Sequence, residues 1–192
     1  LRKTKSYILL LIIILTFSCR KESKTEIKKN IDLDLKKTTE LISQILIDKN
    51  DSYLSSSCIS ENQKAFTSSD FLYYGEKANK YLNIKDSLHF KTQEKLFNEF
   101  KIMKELTLNK KIITEKQHIE LESKREFWKW IEINCEKGYC SISKPIFNEN
   151  YDLAYIVIFR RLFDFDSSGE ILIYEFKNGK WKEKEQIERW IS

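Results

Sequence analysis

The chain has 192 residues with a formal net charge of +5, 41% hydrophobic residues, one proline and four glycines. That length suits a single domain with one core, and the near absence of Pro and Gly rules out a flexible interdomain linker. The charge is uneven: Arg2, Lys3 and Lys5 lie before residue 19, and Arg20, Lys21, Lys24, Lys28 and Lys29 outweigh Glu22 and Glu26 over 19–30, leaving residues 31–192 close to neutral. A near-neutral body lacks the basic surface that binding to a phosphate backbone requires, so no nucleic-acid partner is expected.

The first 22 residues decide an address. A basic start is followed by the apolar run Tyr7–Phe17, then Ser18 and Cys19, and then an abrupt polar stretch. The run is too short to span a bilayer, which takes about 20 apolar residues, and it suits a signal-peptide core. In Leu15-Thr16-Phe17-Ser18-Cys19 the segment resembles the type II signal peptides of bacterial lipoproteins. That resemblance implies cleavage before Cys19, a diacylglyceryl thioether on its sulfur carrying acyl chains such as palmitate, and attachment to a membrane. Two or three chains, at about 0.8 kcal/mol per buried CH₂, would hold the protein firmly. By the same resemblance Arg20, where an Asp would favour the inner membrane, leans towards the outer one. The expected organisation is a signal peptide at 1–18, a flexible charged tether at 19–30, and one domain at 31–192.

With Cys19 lipidated, Cys58, Cys135 and Cys140 remain in a compartment where disulfides persist. Cys135 and Cys140 are separated by Glu-Lys-Gly-Tyr and could bridge across a turn, leaving Cys58 over; the alternative is three reduced, partly buried thiols. The spacing is not that of a zinc or Cys-x-x-Cys redox site, and His89 and His118 are the only histidines, so no metal or cofactor site is expected from these residues.

Residues 31–134 read as helical. Asp34 can cap a helix to about Lys49 with Leu41, Ile42, Ile45 and Leu46 on its core face. A Ser-rich loop, 50–60, holds Cys58. Ser69 or Asp70 opens a second helix with Phe71, Tyr74, Ala78, Tyr81 and Leu82 inward, and a third covers about Thr92–Leu106. Lys111–Ile113 reads as a short strand. Thr114-x-x-Gln117 and Ser123-x-x-Glu126 are capping boxes, the second leading into Phe127, Trp128, Trp130 and Ile131.

From 139 the period becomes alternating. Tyr139–Phe147 is extended, with Pro145 suggesting an edge. Tyr151–Phe163 carries one strongly apolar face, and Gly169–Lys177 is apolar on both and so central. Asn178-Gly179 favours a two-residue hairpin. Lys180–Ser192 is either a charged edge strand or a helix. The expected fold is α+β: N-terminal helices packed on a C-terminal antiparallel β-meander of three to four strands, the β-rich part spanning 139–192. The set Ser143-Lys144-Pro145-Ile146-Phe147, Asn178-Gly179-Lys180-Trp181 and Trp190-Ile191-Ser192 resembles the C-terminal half of a group of small bacterial lipoproteins of unknown activity. It implies strands, turns and packing tryptophans, and no chemistry.

One constellation suggests chemistry. Asp164, Asp166, Ser168 and Glu175 have the spacing of an EF-hand calcium loop, but β-rich residues flank it where helices are required. Nucleophile-elbow, zinc-protease, phosphate-loop and dinucleotide patterns are absent. The function expected is a non-enzymatic, membrane-anchored envelope module that binds an envelope protein. The alternatives are a small envelope hydrolase with a dispersed carboxylate site and a calcium-binding protein.

Overall fold

A computed structural model describes residues 24–50, 53–62, 71–162 and 166–191. The signal segment 1–18, Cys19 and Asp164 lie outside the described residues. The chain divides into two units, Leu1–Leu33 and Asp34–Ser192. Of the first, the helical stretch from Lys24 is described. It forms the start of helix α1, Lys24–Lys49, so helix begins inside the stretch expected to be a flexible tether at 19–30.

In the second unit, α1 is followed by strand β1 (Cys58–Ser60), helices α2 (Phe71–Leu82) and α3 (Ser87–Asn98), and a 3₁₀ turn at Lys104–Leu106. Strand β2 (Lys111–Ile113) and helices α4 (Glu115–Ser123) and α5 (Phe127–Asn134) come next. Five strands end the chain: β3 (Tyr139–Ile142), β4 (Ile146–Phe147), β5 (Leu153–Arg161), β6 (Ser167–Lys177) and β7 (Lys180–Ile191). The general plan matches expectation, an α-helical N-terminal region packed on an open C-terminal sheet.

The sheet itself is larger and of another kind than the expected three- to four-strand antiparallel meander. It has seven strands in the order β2-β1-β3-β5-β6-β7, with β4 also on β5. β3, β5, β6 and β7 are antiparallel, whereas β1 pairs parallel to both β2 and β3. β1 and β2 therefore come from the part read as helical. β2 is the short strand expected at Lys111–Ile113, whereas β1 falls in the stretch 50–60 expected to be a loop and, at three residues, is too short to display a period.

Alternation along the strands sorts the core into two layers. Ile59, Ile142, Ala154, Ile156, Ile158, Leu172 and Tyr174 face Leu41, Ile42, Ile45 and Leu46 of α1. On the other face Tyr155, Val157, Ile171 and Ile173 meet Phe71, Tyr74, Ala78 and Leu82 of α2 and Phe97 of α3. Cys58, Ile113, Tyr139 and Phe159 meet Phe127 and Ile131 of α5 on that same side.

Local rules explain most of the boundaries. Asn83 takes φ 53° and ends α2 in the left-handed region that Asn tolerates. Asp86 accepts from the Leu88 amide at 2.8 Å and starts α3 earlier than the expected Thr92. Thr114 caps α4 through the Gln117 amide at 3.1 Å. The second capping box does not form: Ser123 ends α4, and its hydroxyl donates back to the Glu120 carbonyl at 2.7 Å. Asn178 and Gly179 both have positive φ, the type I′ geometry that joins β6 to β7 as a hairpin. Lys180–Ile191 is thus a strand, with Lys184 and Ile187 as extra residues where the β6 register shifts. Gly169 lies opposite Trp190, and a side chain there would overlap the indole.

Pro145 occupies a break rather than an edge. Tyr139–Phe147 splits around Ser143-Lys144-Pro145 into β3 and β4, and both pair with β5. Lys144 turns inward. Its ammonium lies 2.9 Å from Oδ1 of Asp34, each side chain 3% exposed. Asp34 is therefore no helix cap; it is a buried partner inside α1. Removing one member strands a charge in the core, which costs about 3 to 5 kcal/mol. Asp34→Ala is expected to lower unfolding free energy by that amount in urea titration. Lys36→Ala, on an exposed side chain, should change it by less than about 0.5 kcal/mol.

Candidate functional site

The candidate site is a groove of about 730 Å³ lined by Glu61, Lys101, Thr114, Glu115, Lys116, Ile119 and Glu120. Three segments build it: the residues after β1, the loop after α3, and the N-terminal turns of α4. Backbone bonds fix them, with Glu61 N–H donating to the Ile113 carbonyl at 2.9 Å and Ile102 N–H to the Glu61 carbonyl at 2.8 Å. The Glu61 carboxylate accepts from the Glu115 amide at 3.1 Å, at the helix end where unpaired N–H groups favour an anion.

Its acids are already engaged. Glu61 pairs with Lys101 at 3.2 Å, and Glu115 accepts from the Asn62 side-chain amide at 3.2 Å. Lys124, 2.7 Å from Glu120, holds that carboxyl below its ordinary range. Against these paired charges stands Ile119, 60% exposed on the groove wall. The arrangement offers an apolar contact rimmed by charge. It does not offer a free base opposite a free acid, as hydrolysis by two carboxylates would require.

The residues singled out from the sequence are dispersed. Cys135 bonds to Cys58, and Cys140 is a buried free thiol. The expected Cys135–Cys140 bridge is corrected by strand geometry. Cys140 pairs in register with Ile59 and points to the α1 face, whereas Cys58 points to the opposite face, under α5. The link closes 77 residues of sequence separation, so reducing it or making Cys58→Ser is expected to cost about 2 to 5 kcal/mol. Cys140→Ser should leave the dithiothreitol dependence of the urea midpoint in place.

The described calcium-loop residues, Asp166, Ser168 and Glu175, do not form one cluster. β6 is strand from Ser167 to Lys177, which sets Ser168 and Glu175 roughly 20 Å apart at about 3.3 Å per residue. Ser168 is buried and accepts from Arg160 Nε at 2.9 Å, Glu175 pairs with Lys177 at 2.6 Å, and Asp166 is exposed. Among the described residues no three His, Cys, Asp or Glu side chains group closely enough to hold a metal ion.

Both histidines are structural. His89 Nε2 meets the Phe147 carbonyl at 2.9 Å. His118 stacks edge-on against Phe127 at 4.7 Å, and burial pushes its pKa below 6.5 against the opposing pull of Glu122. The folded protein then binds fewer protons at this site than the unfolded chain. The stability contributed is full above about pH 6.5 and is lost as pH falls through the lowered folded value. His118→Gln is expected to flatten that part of the decline in urea midpoint below pH 6.5; an unchanged slope would remove His118 as its source.

Trp128 and Trp130 are both half-buried, under Arg161 at 4.2 Å and Lys111 at 4.8 Å. Comparison of the chain with protein-family models, with curated proteins and with solved structures gave no match.

Proposed function

We propose that this is a lipid-anchored protein of the cell envelope, held through Cys19, whose α+β body is a non-enzymatic module that binds an envelope protein through the Glu61–Ile119 groove. The observation that carries the reading is the run Tyr7–Ser18 ending in Cys19 between a basic start and a polar stretch. The Cys58–Cys135 disulfide supports export, since such bonds persist in oxidising compartments. The engaged carboxylates and the exposed Ile119 favour a binder over the hydrolase alternative. Arg20 favours the outer membrane.

The test uses the full chain in a bacterial host that processes lipoproteins. Wild type is expected in the membrane fraction and in the detergent phase after partition, and Cys19→Ala in neither. Equal partition of the two would overturn the anchor. From solubilised membranes the wild type should enrich a partner over Cys19→Ala. Ile119→Asp, on an exposed side chain, should lose that partner while its urea midpoint stays within the error of wild type.

A further inference from the structure

The core of the second unit holds a lysine and an aspartate close enough to react. Lys144 Nζ lies 2.9 Å from Oδ1 and 3.1 Å from Oδ2 of Asp34. The carbon between those oxygens is then within the about 3–3.5 Å of a near-attack arrangement. Three neighbours fix both groups. Gln93 Nε2 donates to Oδ2 at 2.6 Å, and Gln93 Oε1 accepts from Nζ at 3.1 Å. The Pro145 carbonyl accepts from Nζ at 2.7 Å, and the Thr38 hydroxyl donates to Oδ1 at 3.3 Å. The Phe147 ring centre is 5.1 Å from Nζ. Lys144, Asp34, Gln93 and Thr38 are all buried, so bulk water is kept from the pair.

We propose that Asp34 and Lys144 form a self-modification site, condensing to a side-chain amide that ties α1 covalently to the β3–β4 connection. The proton first passes from the ammonium to a carboxylate oxygen, leaving a neutral amine beside a neutral acid. The amine lone pair then forms the N–C bond at Cγ of Asp34. The C–OH bond breaks, and the hydroxyl leaves with a second amine proton as water. Nothing is oxidised or reduced, and no co-reactant is needed.

Each neighbour has a place in this step. Burial pushes Lys144 below its ordinary range, with the Asp34 charge opposing, and so favours the nucleophilic amine. The Gln93 N–H on Oδ2 stabilises the negative charge that gathers there in the tetrahedral intermediate. The Pro145 carbonyl holds one amine hydrogen and limits how the nitrogen can turn. The other ion pairs among the described residues are less enclosed: Lys77–Glu188 and Lys49–Glu183 each include a carboxylate more than 40% exposed, and Lys49–Glu170 a lysine 19% exposed. The proposal concerns the body alone and stands apart from lipidation at Cys19.

The test is the mass of peptides from the full chain, purified folded, then denatured and digested. The peptides carrying Asp34 and Lys144 are expected to run as one branched species, lighter than their sum by one water, about 18 Da. Lys144→Arg, whose guanidinium stays protonated, should give two separate peptides of full mass. Gln93→Ala should slow formation of the branched species after refolding. Two full-mass peptides from wild type, after prolonged incubation of folded protein, would overturn the proposal and leave an ion pair only. That readout depends on no variant folding.

Discussion

The buried contact between Lys144 and Asp34 is the constraint around which the second unit is arranged. A charged pair at 3% exposure has given up its hydration, and attraction offsets that cost only when every remaining donor and acceptor is met. Here they are met from three elements at once. Asp34 and Thr38 come from α1, Gln93 from α3, and Lys144 and Pro145 from the break between β3 and β4. Gln93 also accepts from the Phe147 backbone amide at 3.1 Å, so one side chain joins the network to β4. An apolar residue at Asp34, Gln93 or Lys144 would take the partner from the Gln93 Nε2, the Phe147 N–H or the Pro145 carbonyl respectively. The network therefore specifies which helix lies where, beyond what apolar contact alone would dictate.

Polar side chains also close the sheet. Gln93 and His89 satisfy the Phe147 N–H and C=O on the outer side of β4. At the other end Gln44 of α1 pairs with both backbone groups of Trp181, the start of the edge strand β7. Farther along, β7 carries exposed Lys182, Glu183, Lys184 and Glu185 and two register shifts. Charge and bulging together keep a long edge from templating further strands. The same α1 face that fills one core layer thus supplies the hydrogen bonds that finish the sheet.

The parts legible in the sequence were those with a repeating signal or a dedicated turn. Leu41, Ile42, Ile45 and Leu46 marked the inner face of α1, the alternation in 151–163 marked β5, and Asn178-Gly179 marked the β6–β7 hairpin. Thr114 and Gln117 marked a real cap. What stayed hidden depended on partners far away in the chain. Asp34 looked like a cap because nothing near it announces Lys144, 110 residues on. Cys58–Cys135 was hidden because strand register, not spacing, decides which face a thiol occupies. The groove draws Glu61, Lys101 and Ile119 from three segments, each unremarkable by itself. Ser123 and Glu126 fit a cap pattern, but Ser123 is the last residue of the preceding helix and Glu126 itself stands at the N-cap of the next.

The order in which these pieces leave the ribosome has its own effect. The apolar face of α1 is made early, and the strands it covers, β5 and β6, lie more than 100 residues later. Before Tyr139 appears, the only sheet available among the described residues is the three-residue parallel pair β1–β2. Domains dominated by such distant pairings fold slowly, because chain closure must precede any gain from contact. At about 5–20 residues per second, the apolar face of α1 waits roughly 5 to 25 s for its first large partner. Until β5 and β6 are made, Leu41, Ile42, Ile45 and Leu46 lack the apolar sheet face they pack against in the folded unit.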